Sequence, residues 1–340
     1  MIDLVVAGGG PAGLATAIHA ARAGLTVTVV EMRAGPIDKA CGEGLMPHAV
    51  RELQLLGVHP AGRDLRGITY LDHRRTVTAR FGSATGLGVR RTALHAALLG
   101  QAATAGVDVV QDRVGAPVQD VDGVAVNGIR ARYLAAADGL HSPIRARLGL
   151  DRPAGKTRRW GIRRHVAVAP WSEYVEVHWS AGPEAAEAYV TPVADDCVGV
   201  AILTDRRGRF DEHLAAFPAL RERLTGHPHE PDRAAGPLRQ RVRRRVAGRV
   251  LLVGDAAGYV DALTGEGLGL AFAASRLLVD AVLADRPDVY EHAWRRATRR
   301  YRVTTTGVLG VGTSPLRSLI VPAASRLPRA FAGLVNMLAE

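Results

Sequence analysis

Four short apolar runs, widely separated along the chain, form its clearest hydrophobic pattern. They occupy residues 4–7, 26–30, 134–137 and 250–253, and threonine is the only polar residue type within them. Continuous apolar runs of this length are typical of strands buried on both faces of a parallel sheet. Residues 14–23 are rich in alanine and contain no helix breaker, which predicts a helix between the first two strands. The pattern therefore predicts an α/β fold whose sheet is assembled from distant parts of the chain.

A different pattern fills the middle of the chain. Short β-type runs separated by Pro, Gly and Asp occupy residues 68–81, 164–169, 174–179, 188–193 and 197–203. Such regular spacing favours an antiparallel sheet, here inserted between the two halves of the parallel one. Three units are predicted. The first is a discontinuous Rossmann-like unit at residues 1–65, 85–155 and 240–300. The second is a β-rich substrate domain at residues 66–84 and 156–239, and the third is a C-terminal helical segment at residues 301–340.

Helical patterns complete the organisation. Helices are predicted at residues 47–56, 91–105, 210–224 with a break at Pro218, 268–284, 289–301 and 329–338. The tail is apolar, but charges interrupt it, and no stretch reaches the ~20 uncharged apolar residues that span a bilayer. Packing of the tail onto the body is the favoured interpretation. Peripheral membrane contact through residues 305–340, or a cover over an apolar substrate, are the alternatives.

Composition narrows the class of protein. A hydrophobic content of 47% is enough for a sizeable core, and two cysteines, Cys41 and Cys197, do not make a disulfide framework. The first strand begins at residue 2, so no secretory signal is expected, and we predict a cytoplasmic protein. The net charge of +11 comes with only 5% aromatic residues and with arginines spread along the chain, which argues against nucleic-acid binding.

The densest basic cluster lies at residues 239–245, where five of seven residues are arginine. Its favoured interpretation is a solvated basic face. Recruitment of anionic nucleotides or of a membrane surface are the alternatives.

A glycine motif follows the first strand. Gly8, Gly10 and Gly13 form G-x-G-x-x-G between that strand and the predicted helix, and Glu31 ends the second strand. In this context the first glycine permits a tight turn, the second admits a pyrophosphate, and the third lets helix and strand pack closely. The helix N-terminus favours phosphate, and the acid accepts hydrogen bonds from ribose hydroxyls. The stretch predicts dinucleotide binding.

Two further motifs follow later strands. Asp138-Gly139 ends the run at 134–137, and Gly254-Asp255 ends the run at 250–253. Thr264-Gly265-Glu266-Gly267 then precedes the long helix. The start of that helix favours negative charge, and reduced flavin is an anion delocalised over N1 and the O2 carbonyl. An N-cap role for Asp255 in a short helix is the alternative to cofactor binding.

The order GGGPAG with Glu31, then LAAADGLHSPIR, then RVLLVGDAAGYVDALTGEGLGLAF resembles the FAD-dependent family of aromatic hydroxylases and geranylgeranyl reductases, with its p-hydroxybenzoate hydroxylase-like fold. The resemblance covers most of residues 1–285. It implies a split Rossmann-like FAD-binding domain with an inserted antiparallel β-sheet substrate domain, and FAD as cofactor. The implied cofactor-binding residues are Gly8, Gly10, Pro11, Ala12, Gly13, Glu31, Met32, Arg33, Cys41, Gly42, Arg91, Asp138, Gly139, Gly254, Asp255, Gly265, Glu266, Gly267 and Leu268.

The chain departs from the hydroxylase branch at three positions. Cys41 replaces an arginine usual near the flavin, Gly258 replaces a histidine, and Ala262 replaces a proline. Cys41-Gly42-Glu43-Gly44 looks more like the reductase branch. Cys41 and Glu43 are the candidate catalytic residues; a buried thiol and a loop-positioning or surface acid are the alternatives.

The histidines show no metal-ligand spacing, so no metal site is predicted. His165 and His178 lie on predicted strands of the insert. We interpret both as structural histidines with satisfied hydrogen bonds rather than as groups that face the substrate.

Two reactions fit the resemblance. The first, which we favour, is NAD(P)H-dependent hydroxylation of a hydrophobic or phenolic, polyketide-like secondary metabolite. The second is hydrogenation of C=C bonds in a prenyl chain. No second G-x-G-x-x-G is present, so NAD(P)H is expected as a transient reductant. A flavin-binding protein without turnover is the third alternative.

Overall fold

A largely parallel sheet and a largely antiparallel sheet share this chain, which confirms the predicted fold class. The computed structural model describes residues 1–153, 155, 158–180 and 185–339. Lys156 and Thr157, next to the predicted domain boundary at 155/156, lie outside the described residues. The domain boundaries themselves remain predictions.

The strands are short, and most of the longest belong to the second sheet. In chain order they are β1 (Ile2–Ala7), β2 (Val27–Glu31), β3 (Gly44–Leu45), β4 (Arg63–Leu65), β5 (Gly67–Leu71), β6 (Thr76–Arg80), β7 (Gly86–Gly88), β8 (Asp108–Gln111), β9 (Val118–Gln119), β10 (Val124–Val126), β11 (Ile129–Ala136), β12 (Asp151–Arg152), β13 (Trp160–Val166), β14 (Val175–Trp179), β15 (Glu187–Ala194), β16 (Cys197–Thr204), β17 (Arg233–Ala235), β18 (Arg241–Val242), β19 (Val246–Ala247) and β20 (Val250–Leu252).

The α-helices in chain order are α1 (Pro11–Arg22), α2 (Pro47–Leu55), α3 (Arg91–Thr104), α4 (Pro143–Arg147), α5 (Phe210–Leu214), α6 (Pro218–Leu224), α7 (Gly267–Leu283), α8 (Pro287–Gly312), α9 (Ile320–Arg326) and α10 (Pro328–Ala339). Two 3₁₀ turns cover Gly254–Ala257 and Pro315–Leu319. The predicted break at Pro218 is present, because α5 ends before it and proline begins α6.

The first sheet has the strand order β19-β20-β11-β1-β2-β8, and its four central pairings are parallel. Val5 pairs with Leu134 on one side and with Thr28 on the other, so the distant apolar runs become neighbours. The residues of β1 from Leu4 to Ala7 are fully buried. Because the carboxyl ends of these strands meet at one edge, the glycine motif, Glu31, Asp138 and Asp255 collect there.

The second sheet has the order β17-β13-β16-β15-β14-β5-β6. All of its pairings are antiparallel except that of β14 with β5. The single parallel pair arises because the β5–β6 hairpin comes from an early segment of the chain and adds to the sheet edge as a unit. Sequence periodicity does not report the direction of such a pairing.

The C-terminal segment packs on the second sheet, in agreement with the interpretation that the apolar tail packs onto the body of the protein. Helix α8 continues to Gly312, eleven residues past the predicted end at 301, because Tyr301, Thr305 and Leu309 continue its buried face at four-residue spacing. Phe331 and Val335 of α10 share a buried apolar cluster with Trp179 of β14. Among the described residues, no helix is both long and apolar enough to cross a membrane.

Candidate active site

A cavity of about 1170 Å³ lies between the carboxyl edge of the first sheet, the second sheet and the C-terminal helices. Fourteen of the predicted site residues line it: Gly10, Pro11, Ala12, Cys41, Gly42, Glu43, Arg91, Asp138, Gly139, Gly254, Asp255, Gly265, Gly267 and Leu268. Gly8, Gly13, Glu31, Met32, Arg33 and Glu266 lie beside or behind this wall rather than in it. The three separate sequence motifs therefore meet around one space.

The glycine loop forms a cradle at the start of α1. Gly8 has a φ of 103°, and a Cβ on Gly13 would sit 1.9 Å from the carbonyl oxygen of Gly8, so neither position accepts a side chain. At Gly10, by contrast, a Cβ would meet no atom within 4 Å and would project into open space. Gly10 is the N-cap of α1, whose first N–H groups lie free for an anion. The loop fits a pyrophosphate.

Glu31 is held as an acceptor at the end of β2. The N–H of Gly9 donates to its Oε2 at 2.9 Å, and the backbone N–H and Nε of Arg33 donate to its Oε1 at 3.0 and 2.8 Å. Burial alone would raise the pKa of this carboxyl, but the hydrogen bonds from Arg33 and Gly9 outweigh it and hold the pKa below its usual value. The neighbouring Met32 is half exposed.

Two aspartates project near the cavity with acceptor atoms to spare. Asp138 Oδ2 accepts from the N–H of Ile144 at 3.0 Å, while its buried Oδ1 has no partner among the described residues. Burial raises the pKa of Asp138 and of Asp255, and in Asp255 the positive charges of Arg91 and Lys39 oppose that effect. The cap of the turn after β20 is Val253, without a side-chain hydrogen bond, so Asp255 does not take the alternative N-cap role.

Lys39 is a candidate contact that the sequence motifs did not identify. It lines the cavity, and a Cβ on Gly139 would lie 3.6 Å from its Nζ. Burial and the charges of Arg33 and Arg91 lower its pKa, while Asp255 and Glu31 oppose the shift. A signal was available in the composition, since Lys39 is one of only two lysines in an arginine-rich chain. Its ammonium lies among groups that suit a bound phosphate.

Cys41 lies in a loop that is fastened at several points. Its Sγ accepts the N–H of Glu43 at 3.4 Å, and Thr191 Oγ1 donates to the carbonyl of Gly42 at 2.8 Å. Burial raises the pKa of the Cys41 thiol, against the opposing charge of Arg91. The thiol is therefore protonated at neutral pH, which does not suit a nucleophile. No atom lies within 4 Å of a Cβ built on Gly42, so the loop presents open backbone to the cavity.

Glu43 is the anchor of this loop. Its side chain is 2% exposed; Oε1 accepts the N–H of Arg91 at 2.7 Å and Oε2 contacts His165 Nε2 at 2.7 Å. The other side of His165 contacts Glu230 at 2.9 Å and Arg163 at 2.9 Å. Both oxygens of Glu43 are thus engaged, which favours its positioning role. His165 is a buried structural histidine, and His178 contacts Glu176 at 3.0 Å.

The start of α7 borders the cavity with bare backbone. A Cβ on Gly265 would meet nothing within 4 Å, whereas Glu266 turns its side chain into the protein. Glu266 Oε2 is buried without a partner among the described residues, and burial raises the pKa of this carboxyl to about 7. The N-terminus of this 17-residue helix favours negative charge. The end of a reduced flavin that carries negative charge would therefore be stabilised there.

The rest of the cavity is an apolar chamber. Its walls are the inner face of the second sheet, with Tyr70, Val177 and Tyr189, and the facing residues of the C-terminal helices, with Val308 and Phe331. The Tyr70 ring contacts two other aromatic rings, with 4.8 Å between its centroid and that of Phe331 and 5.7 Å between its centroid and that of Trp179. The site thus consists of a polar cradle for a dinucleotide and an apolar compartment that adjoins it.

Comparisons with known proteins agree with this geometry. The profile of the family described as "FAD binding domain" matches residues 1–284. The chain is 31% identical to menaquinone reductase of Mycolicibacterium smegmatis, over 86% of this chain and 79% of the relative. It is 28% identical to digeranylgeranylglycerophospholipid reductase of Methanoculleus marisnigri, over 81% and 75%.

Among solved structures, a flavin-dependent brominase superposes with a TM-score of 0.84. The superposition covers 99% of this chain and 93% of the brominase at 16% sequence identity. A likeness at this identity bears on the fold, and the brominase has the same arrangement of layers.

Proposed function

This chain belongs to the FAD-binding domain family and is an FAD-dependent oxidoreductase, and from that premise we propose that it saturates a C=C bond in the prenyl chain of a lipid. Hydroxylation of a phenolic metabolite, which the sequence analysis places first, becomes the second candidate. The observation that carries the proposal is the apolar chamber beside the flavin cradle. NAD(P)H remains the proposed reductant.

The chamber suits a long hydrocarbon. Its wall on the side of the C-terminal helices is formed mostly by small and aliphatic residues, among them Gly307, Val308, Ala324 and Val335, together with Phe331. Of the cavity's charged side chains, none comes from the C-terminal helices; all lie towards the flavin cradle, as Lys39 does. A prenyl chain loses contact with water on entering such a compartment, and burial of apolar surface contributes roughly 25 cal/mol per Å².

The residues around the cradle orient and shield the reaction. Bound FAD, once reduced by NAD(P)H, would supply a hydride to one carbon of the C=C bond, the other carbon would take up a proton that comes from solvent, and the protein would bind and orient the reactants. Gly10 and Lys39 would hold the phosphates, Asp255 would accept from the ribityl hydroxyls, and the start of α7 would stabilise negative charge. The loop at Cys41 and Gly42 presents backbone on the ring side. The C-terminal helices exclude water from the chamber, which protects the reduced cofactor.

Two observations support a reductase over a hydroxylase. The relatives named above at 31% and 28% identity both carry reductase names. The Cys41-Gly42-Glu43-Gly44 loop, already similar to the reductase branch, is built here around a protonated thiol and an anchored glutamate.

A specific observation favours the second candidate, hydroxylation. The Tyr70 hydroxyl has no hydrogen bond with a described residue, and burial raises its pKa to about 12, so it is a free donor for a ring oxygen.

A lipid substrate makes peripheral membrane contact part of the same proposal. Leu316, Leu319 and Leu327 of the C-terminal segment are each more than half exposed, and Arg326 and Arg329 lie beside them in the sequence. Exposed apolar residues with nearby basic ones suit the surface of a bilayer that contains anionic lipid. Leu316 and Leu319 lie in the 3₁₀ turn between α8 and α9, and Leu327 lies between α9 and α10, so the exposed leucines adjoin the helices of the chamber wall and substrate would enter from that side.

The test is a product analysis. FAD-loaded protein, reduced without oxygen by NADPH or dithionite, is mixed with a menaquinone and, separately, with a geranylgeranyl lipid. We expect a product whose prenyl chain gains two hydrogen atoms while the quinone ring keeps its oxidation state, together with reoxidation of the flavin; a gain confined to the quinone ring would contradict the proposal. If reoxidation occurs only in air and an oxygen atom from labelled O₂ enters a phenolic substrate, hydroxylation replaces the proposal. If no lipid reoxidises the flavin, the prenyl substrate class is wrong.

A further inference from the structure

A second cleft, of about 710 Å³, opens behind the flavin cradle. It lies between β18, with the residues on either side of it, and α8. The turn Gly254–Ala257 and Tyr259 form the wall that separates it from the main cavity. It is thus a neighbour of the flavin site with its own opening.

Arginine dominates the lining of this cleft. Six arginines from three parts of the chain reach it: Arg152, Arg239, Arg241, Arg245, Arg299 and Arg302. One of the six, Arg245, is buried and has an acidic partner, Glu291, at 3.2 Å. The other five form no salt bridge with a described residue. Apart from Asp255 in the shared wall, the described lining contains no carboxylate.

Two of these arginines are brought together by the backbone. Arg152 and Arg241 are register partners in the antiparallel pair β12–β18. Like charges directly opposite on paired strands are destabilising. Neither a tight turn nor a solvated face explains why two arginines lie opposite each other, whereas an anion bound by both would stabilise this arrangement.

Trp294 organises the other wall. The guanidinium carbon of Arg245 lies 3.9 Å from the centroid of its indole ring, and that of Arg302 lies 5.8 Å away. Arg245 Nε also donates to the carbonyl of Ala257 at 3.0 Å, which fixes its plane. Arg245 is thus a fixed part of the wall, with its Nε and Nη1 engaged. Arg302, near the same ring, forms no salt bridge with a described residue, and its guanidinium is placed to bind phosphate.

We propose that this arginine-lined cleft binds the phosphate or diphosphate group of a small molecule, separately from the pyrophosphate of FAD. The flavin pyrophosphate has its own cradle at Gly10 and Lys39, in the other cavity. Five arginines without a salt bridge to a described residue, around one concave surface, give a positive potential that a compact dianion neutralises. The basic cluster at 239–245 is then one wall of a binding site rather than a solvated face.

Two sources could supply this group next to a flavin. One is a nicotinamide dinucleotide, whose phosphates would anchor outside while its ring reaches the flavin. The other is a prenyl diphosphate, whose chain would enter the apolar chamber. The anion site itself does not rest on the proposed reaction, but the second source does.

The test uses FAD-loaded protein and inorganic pyrophosphate, followed by calorimetry. We expect binding that weakens as salt rises, and a loss of about tenfold or more in affinity when Arg241→Gln and Arg302→Gln are combined. Arg113→Gln is the matched control, since Arg113 is exposed, forms no salt bridge with a described residue and lies far from the cleft on the edge of the first sheet. No binding at millimolar pyrophosphate, or equal binding by wild type and double variant, would overturn the proposal.

Competition then identifies the source. If pyrophosphate competes with NADPH, and the double variant raises the KM for NADPH while leaving reduction by dithionite unchanged, the group belongs to the reductant. If instead the double variant weakens binding of geranylgeranyl diphosphate and not of NADPH, it belongs to the substrate. Because pyrophosphate binding needs no turnover, these results stand apart from success or failure of the proposed reaction.

Discussion

The carboxylate of Glu43 accepts the backbone N–H of Arg91 at 2.7 Å, and so ties the loop of Cys41 to the first turn of α3. Its other oxygen contacts His165 on β13, in the second sheet. One side chain therefore joins the flavin-side loop, a helix of the first layer and a strand of the second. Glu43 holds this position with a φ of 60°, a conformation that non-glycine residues seldom adopt.

Glu43→Gln tests whether this residue positions or reacts. Glutamine keeps an acceptor for the Arg91 N–H but cannot supply the proton of a general acid. We expect turnover within about tenfold of wild type at saturating FAD, because a general acid contributes roughly 10²–10⁴ in rate. A fall of that larger size with unchanged FAD affinity would make Glu43 a catalytic acid instead. Glu43→Ala should lower the free energy of unfolding by about 2–4 kcal/mol, since it leaves buried donors without partners.

Gly10→Val should remove FAD. The added side chain would fill the open space at the N-terminus of α1 that the pyrophosphate needs. We expect affinity for FAD to fall by about 100-fold or more, which corresponds to about 3 kcal/mol. The yellow colour retained after gel filtration measures it. Gly100→Val is the control, because Gly100 also faces open space but lies in α3 away from the cavity. Stoichiometric FAD in the Gly10 variant would refute the assignment of the cradle.

Cys41→Ser should change turnover by no more than about threefold, because burial raises the pKa of the thiol and leaves little thiolate to react. The comparison is of kcat at equal FAD occupancy. Cys197→Ser serves as control, since Cys197 is buried on β16 and does not line the cavity. A loss of several orders of magnitude at Cys41 alone would assign the thiol a chemical role.

The parallel sheet and its cradle were predictable because their signals are local. A continuous apolar run, a glycine triplet and an acid at the end of the next strand all lie within residues 4–31. The carboxyl-edge rule then brings Asp138 and Asp255 to the same place. The predicted fold class and the FAD cofactor were confirmed; the roles of the individual site residues stay predictions.

The parts that sequence reasoning missed depend on distant contacts. Glu43 and His165 meet across 122 positions, and no periodicity links them. The last turns of α8 carry Thr-Thr-Thr and glycines, which favour other structures locally, and they are helical because the second sheet covers their buried face. The parallel pairing of β5 with β14 is likewise a tertiary choice.

Glu266 should contribute stability at low pH that is lost as pH rises from about 4.5 to about 7. Burial raises its pKa from the ordinary 4.5 to about 7, so within this window the folded protein binds more protons than the unfolded chain. The contribution is lost as pH rises through the window and amounts to about 3 kcal/mol at most. Glu266→Gln should flatten this part of the pH profile of unfolding, measured with denaturant at saturating FAD.

Glu222→Gln is the control for that profile, since it removes an exposed carboxylate. Glu187, whose pKa burial also raises to about 7 against the charge of Arg159, keeps a separate slope in both variants. An unchanged profile in Glu266→Gln would mean that the Glu266 carboxyl is ionised in the folded protein.

Val308→Trp tests the length of the substrate chamber. Val308 is partly buried on the inner face of α8, within the apolar cluster of Phe331 and Trp179. An indole there fills space that the far end of a prenyl chain would occupy, and overfilling a packed site costs about 1–3 kcal/mol. We therefore expect kcat/KM for a long-chain substrate to fall about tenfold to hundredfold, while a short prenyl analogue that stays near the flavin is reduced at the wild-type rate. Val289→Trp, at an exposed position of the same helix outside the chamber, is the matched control. Equal losses for long and short substrates would place the chain elsewhere, because damage to the flavin end, unlike a shortened chamber, does not depend on chain length.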